Sequence, residues 1–561
     1  MRGAYIAAAA LALLAPAGVA AQAPGDAGAG NGGGGAGNGG AGGRTARYVQ
    51  PYIELGQVVT ADLTTDDVLT YTQVAAGIDA GISNGRAQGQ VSYRYERRID
   101  WNGDVGDQDI HSGLALAQVR LTPSLSLEGG AIATRARSDI RGAAPGNLLG
   151  NAANVSQLYS FYAGPTLSTQ VGLLDVGAAY RFGYTKVEVP DVPALLPGQA
   201  PFDYFDSSRN HMATATVGVP VGRVAPFGVT VSGGWEREDA DQLDQRYDGW
   251  FGRGDVVMPL SRTVAVRAGV GYEKIEVGQR DALVSAGGVP VRDADGRFVT
   301  DPASPVRIAY QTDGLIYDAG VIWRPSPRLE LRANAGYRYG GETYFGSLSY
   351  AMSRDVAVNV LLYDGIETFG RQLRDGLTQL PRAFDTSIDP FGQQFGGCVF
   401  GARPGQDAGA GGGAGGCLND VFQSIATASY RARGIDGVIS ASRGRTSFGF
   451  GMGYANRRLY APRGAPGVTV IGLEDESAYA QLFWSRALSR VSNLDANVFG
   501  NWYSSGLPGA GDVYGWGANT TYSRQFGRLG TLASIGVYGF DQSGIDTQWS
   551  AQALVGARYN F

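Results

Sequence analysis

The chain has 561 residues with a net charge of −5; 17% are charged, and 87 Gly and 29 Tyr stand against 5 Met, 2 Cys and 2 His. There is no basic excess to make a nucleic-acid footprint, and so few Cys and His leave little from which to build a metal centre. Beyond the N-terminus no apolar run approaches the roughly 18 residues of a membrane helix, which excludes a helical membrane protein.

Residues 1–21 read as a secretory signal. Arg2 is the positive head, Ala7 to Ala15 an apolar stretch, and Val19-Ala20-Ala21 a small-residue cleavage site. Residues 22–47 form a Gly-rich tract. Its apolar surface is too small to repay ordering, so it reads as a disordered linker with no cofactor fingerprint.

From residue 48 to residue 561 the period is 2. In Val91 to Arg98, Val91, Tyr93 and Tyr95 alternate with Arg94, Glu96 and Arg98. In Leu174 to Tyr184, Leu174, Val176, Ala178, Tyr180, Phe182 and Tyr184 alternate with a polar face that includes Arg181. Leu329 to Gly340 sets Leu329, Leu331, Ala333, Ala335, Tyr337 and Tyr339 against Glu330, Arg332, Asn334 and Arg338. Successive side chains of a strand point to opposite faces, so each segment has an apolar face and a polar one. About 22 such segments occur, long enough to cross a bilayer, which takes about 9–11 residues each. Short connections, such as those near Thr122, Pro259, Arg324 and Leu488, alternate with longer ones, such as 188–210, 278–308 and 364–425.

This pattern predicts an all-β fold, a transmembrane antiparallel up-and-down β-barrel of about 22 strands (roughly 18–24), with both termini at the short-turn, periplasmic end. Tyr52, Trp101, Tyr159, Tyr184, Trp235, Tyr272, Trp323, Tyr350, Trp484 and Trp502 sit near segment ends, where an aromatic girdle belongs. A charge on the lipid face would cost about 2–4 kcal/mol at midplane. Arg94, Glu96, Arg98, Arg181, Arg267, Glu273, Glu330, Arg332, Arg338 and Arg558 are therefore expected to face the lumen.

The longest loop, 364–425, holds Cys398 and Cys417, an even pair in an exported chain, which reads as a disulfide with free thiols as the alternative. Phe369, Leu373, Leu377 and Leu380 are spaced by 3 or 4 and suggest a helix there. A barrel of this size is usually plugged, and residues 22–47 are too few to make a plug. That argues against a TonB-dependent receptor and makes 364–425 the candidate constriction, an extracellular excursion being the other reading. His111 lies near Asp107 and Asp109, and His211 near Asp203 and Asp206, so a barrel hydrolase with an Asp-His pair is a minority reading; the chain is otherwise read as no enzyme, with no cofactor. The acidic loops 104–109 and 239–244 lack the EF-hand pattern.

At the C-terminus Trp549, Ala551, Ala553, Val555, Ala557, Tyr559 and Phe561 alternate to the last residue. Here the chain resembles Gram-negative outer-membrane β-barrel proteins, whose final aromatic residue is read by the barrel-assembly machinery; Tyr559 and Phe561 would be that signal. The resemblance implies a bacterial outer-membrane location, with outer-membrane lipids, the assembly machinery and periplasmic chaperones as partners. Residues 337–344 (YRYGGETY) and 349–354 (SYAMSR) are similar to barrels of exopolysaccharide and exosortase systems, which implies a polysaccharide as a solute. Similar chains sometimes carry the label of the YajC preprotein-translocase subunit, a small family with one membrane helix that this chain lacks. The expected function is a porin-like pore or export channel for polar solutes, the alternative a non-conducting scaffold or adhesin.

Overall fold

The computed structural model describes residues 46–101, 108–137, 155–188, 205–391, 395–402, 413–422, 425, 427–466, 473–506 and 511–561. The expected signal lies outside them, as does the linker except at its last two positions, where the first strand has already begun. Fifteen strands run from Ala46–Asp62 to Val356–Glu367, and seven more from Ser429–Arg443 to Ile545–Asn560. They join in one 22-stranded sheet. The last strand returns antiparallel to the first, from Tyr52↔Asn560 to Asp62↔Ser550. Closure gives every strand a neighbour on both sides, so the ring has no edge strand in lipid; the stretches 307–316, 341–345 and 363–367, around the short hairpin, are paired on one side.

The strands span 10 to 20 residues. Along Arg307–Ser326, Leu315 (67% exposed) and Tyr317 (56%) alternate with Ile316 (5%) and Asp318 (9%). The apolar set faces outward and the polar set inward. A closed ring with an apolar outer band and a polar interior is a transmembrane barrel of the outer-membrane type. Turns such as Gly172-Leu173 and Gly444-Arg445 mark the end where both termini lie.

Two aromatic residues depart from the expected pattern. Tyr52 is buried inside the ring, its face 3.3 Å from the Arg558 guanidinium carbon, so it is not part of a girdle. Tyr339 is not an outward strand residue. It forms a two-residue turn with Gly340, both at positive φ (58° and 74°), and packs with Tyr247, Ile275 and Ile366. Such turns favour Gly or Asn. Here burial of the ring between the Arg338 and Arg431 guanidiniums offsets the strain.

Candidate functional site: the lumen and its insert

Between the strands Val356–Glu367 and Ser429–Arg443 the chain turns into the ring. The expected boundaries 364 and 425 therefore shift to 368 and 428, because the strands continue to Glu367 and resume at Ser429. The insert holds helix α1 (Phe369–Gln379), a three-stranded sheet (Phe384–Ile388, Phe395–Gly401, Gly415–Cys417) and a short helix α2 (Asn419–Phe422). It occupies the lumen and is not an extracellular excursion.

Its contacts run around the wall. One face of α1, with Phe369, Leu373 and Leu377, packs against Ile132, Ala136, Leu158 and Val187. Gln90 donates to the Phe384 carbonyl at 2.9 Å, and Arg382 pairs with Glu128 at 3.2 Å. Tyr538 donates its hydroxyl to Asp389 at 2.7 Å, and Arg98 donates to the Phe391 carbonyl. The Cys398 amide donates to Gln481 at 3.1 Å, and Phe400 stacks on Phe483. Cys398 and Cys417 are disulfide-bonded and lie over Gly451, where any Cβ would overlap both sulfurs.

The other face of α1 carries a buried cluster of charges. Arg371 and Arg374 are completely buried, and both donate to Glu236 on the wall strand Gly228–Ala240, Arg371 at 2.6 Å. Arg371 also donates to the Ile366 carbonyl at 3.1 Å and lies 3.6 Å from the centre of the Tyr247 ring. Arg374 reaches Asn210 at 3.2 Å and Asp375 at 2.7 Å. Thr368 donates to Glu238. Burial disfavours the Arg374 cation, yet Asp375 and Glu236 together raise its pKa above the usual guanidinium value. Nothing in the strand alternation marks Arg371 or Arg374; the helical spacing found their neighbours, and a search for cations inside that helix would have found them too.

The ten wall charges fall into six clusters. Arg94, Glu96 and Arg98 are joined by Glu54, with Arg94–Glu54 and Arg94–Glu96 both at 2.7 Å. Arg181 pairs with Glu128. Arg267 meets Asp255 at 2.8 Å in a group with Arg253 and Asp318. Glu273 pairs with Arg338, Glu330 with Arg332 and Arg324, and Arg558 with Asp79 at 2.7 Å. Sequence reading missed Glu54, Asp255 and Asp318, each of which lies on the same alternating polar face.

The histidines stand apart from this interior. His111 Nδ1 is 2.7 Å from the Tyr93 hydroxyl, beside the Tyr95 and Tyr159 rings. His211 Nδ1 is 2.8 Å from the Tyr180 hydroxyl, beside Phe182 and Trp235. Both belong to the outward aromatic face, and Asp109 bonds to Tyr95 and Arg97 instead. Asp206 pairs with Arg297 at 3.3 Å, so the Asp-His pairs considered for hydrolysis give way to Tyr-His pairs among the described residues, which leave out 107 and 203. Asp239 is held by Arg237 and Arg246, and Asp244 by Arg280. Tyr559 and Phe561 are exposed on the outer face, with ring centroids 5.2 Å apart.

The fold and lumen together define a transmembrane β-barrel with an insert of its own chain docked inside it. No family model matches the chain, and no curated protein does. Solved structures similar to it include the alcaligin outer-membrane receptor FauA of Bordetella pertussis (10% identity, 91% of this chain and 76% of that one, TM-score 0.38). The FrpB iron transporter of Neisseria meningitidis, F5-1 variant, is similar at 11% identity over 91% of this chain and 82% of that one, TM-score 0.40. The ferric-catecholate import receptor Fiu of Escherichia coli K12 is similar at 9% identity over 91% and 81%, TM-score 0.42. At these TM-scores nothing about the site is carried over from them.

Proposed function

We propose that the protein is a gated transport barrel of the outer membrane for polar solutes, with residues 368–428 as the gate. The carrying observation is the grip of Arg371 and Arg374 on Glu236: a polar latch holds an insert across the lumen of a ring that is closed without it. Removing one member of a buried ion pair costs about 3–5 kcal/mol, so the latch can be released by a partner or solute that competes for either side. A scaffold with a permanently closed lumen has less need of a buried charged contact, since an apolar one of equal volume would hold at least as well.

Polysaccharide export is the finer reading. It rests on the likeness of 337–344, the tip of a wall hairpin, and 349–354, the end of that hairpin's second strand and the turn after it. Tyr559 and Phe561, exposed at the end of the closing strand, are proposed as the signal read by the assembly machinery, with outer-membrane lipids around the outer band and periplasmic chaperones on the route. Conductance in a planar bilayer tests the gate. The native chain is expected to give rare, small steps. A variant lacking 370–425, with heat-modifiable gel mobility to show a folded barrel, is expected to give large stable ones. A folded deletion variant that does not conduct would overturn the reading.

A further inference from the structure

Toward the rim opposite the termini, two neighbouring strands of the wall part. Gly341–Ala351 and Val356–Glu367 pair from Ala351↔Ala357 only as far as Gly346↔Leu362. The same register would carry them on to 341 and 367, yet 341–345 and 363–367 do not pair with each other. Residues 363–367 keep their partners in Ser429–Arg443, and 341 stays bonded within its own hairpin. On its other flank the hairpin has no strand pairing beyond Tyr317↔Tyr337.

Side chains fill the parting. Arg431 and Arg433 reach past Val356–Glu367 to the Glu342 carbonyl, at 2.8 and 3.2 Å, and both also pair with Asp364. The Tyr339 ring is 7% exposed and lies between the Arg338 and Arg431 guanidiniums. With it pack Tyr247, Phe251, Ile275 and Val277 of the wall, an apolar cluster that holds no residue of 368–428. Unlike the apolar wall under α1, this patch does not seat the insert. On the outer face Tyr317 stacks on Tyr337 with centroids 5.8 Å apart, and Tyr344 is exposed. Such a run of aromatics marks the membrane interface, a depth at which water and side chains can satisfy parted backbone, as hydrocarbon cannot. The seam is also tied to the latch: Arg371 donates to the Ile366 carbonyl and covers the Tyr247 ring, and Ile366 and Tyr247 belong to the Tyr339 cluster.

We infer that this seam is a side exit between the lumen and the outer leaflet, shut by the Tyr339 ring and freed when the insert undocks, and that its solute is amphipathic, with a polar head in the lumen and an apolar chain lying in the seam. The apolar patch inside and the lipid outside receive the chain, while the polar lumen receives the head. The inference rests on the transport reading above and narrows its polar solute to one that carries a chain; its test separates the two.

A fluorophore on Phe345→Cys reports the lumen side of the seam. One on Ser347→Cys, where the strands are still paired with Ser347↔Leu361, is the control. The barrels, folded by heat-modifiable mobility, are placed in phosphatidylcholine vesicles brominated on the acyl chains beside the headgroup. Both labels are expected to stay bright in the otherwise native chain. Tyr339→Gly suits the positive φ of the turn and removes the ring, so it is expected to quench the label at 345 and not the one at 347; Tyr339→Phe keeps the ring and leaves both bright. A bright 345 in a folded Tyr339→Gly barrel, or equal quenching at both positions, overturns the seam whatever the gate does. The solute class is read on the variant lacking 370–425. Octyl glucoside is expected to block its conductance at a concentration roughly tenfold or more below that of glucose, because its chain is buried in the seam, and a bis-maleimide link between Tyr344→Cys and Asp364→Cys should remove the difference. Equal block by the two sugars, or a difference that survives the link, overturns the amphipathic solute. If that variant does not conduct, the transport reading falls and the solute class with it, while quenching at 345 decides the seam by itself.

Discussion

Glu236→Gln tests the latch most directly. Glu236 is 1% exposed and accepts from two guanidiniums that are themselves fully buried. Gln keeps the shape and removes the charge. A hydrogen bond to a charged group is worth about 1.5–3 kcal/mol, and breaking a buried pair costs about 3–5 kcal/mol. Some compensation survives: Asp375 still holds Arg374 at 2.7 Å, and the Tyr247 ring still covers Arg371. The lower end, about 3 kcal/mol, is therefore the figure to use, and it corresponds to about a hundredfold shift between docked and undocked insert. The ring itself is held by strand pairing on both sides of the Glu236 strand, so the barrel should survive. The expected result is open probability in a planar bilayer raised about a hundredfold, with unchanged heat-modifiable mobility. Glu273→Gln, which touches no insert residue through its bond to Arg338, serves as the control. A folded Glu236→Gln barrel conducting like the native one would refute the latch.

Acidity should tighten the gate. Burial, together with the Asp495 carboxylate on the wall, pushes the Asp385 carboxyl in the insert up to about 6. The docked pKa lies above the free value, so docking is strongest below about pH 4 and weakens as pH rises through about 6, by roughly 1–3 kcal/mol. Open probability should rise from pH 5 to pH 7.5, and Asp385→Asn should abolish that dependence; a pH-independent native barrel contradicts it. Gly451→Val should push the disulfide hairpin off the wall, at an overpacking cost of about 1–3 kcal/mol, and raise conductance; unchanged conductance would show the hairpin seats elsewhere. The Cys398→Ser, Cys417→Ser pair loses a loop closure worth about 3 kcal/mol. It should make residues between them more protease-sensitive while the strands remain protected, which limited proteolysis reads directly. Deleting Phe561 should lower the amount of assembled barrel in cells far more than it lowers refolding of purified chain; equal losses in both would mean a purely structural role.

Much of the wall was legible because a strand's side-chain period is local. Leu174 to Tyr184 alternates in the sequence and alternates in exposure in the barrel, and the turns at Gly172, Gly444 and Gly527 punctuate it. That polar faces turn inward also follows from local chemistry, since lipid admits no unpaired charge cheaply. Exceptions arise where rim height varies. The hairpin containing Tyr339 stops short of its neighbours, so the ring fills the gap instead of continuing the outer face.

Strand periodicity and terminal alternation by themselves determined a barrel and its approximate strand number. The spacing of Phe369, Leu373 and Leu377 marked a helix in the long loop, but an amphipathic helix buries its apolar face equally well against a lumen wall or a loop outside it. The tertiary structure alone decided that the loop turns inward, because the deciding contacts join residues far apart in sequence: Arg371 to Glu236, Phe384 to Gln90, Asp389 to Tyr538. Pairings at such separations leave no periodic trace along the chain, so only the closed ring, which brings those strands around one lumen, fixes where the insert sits.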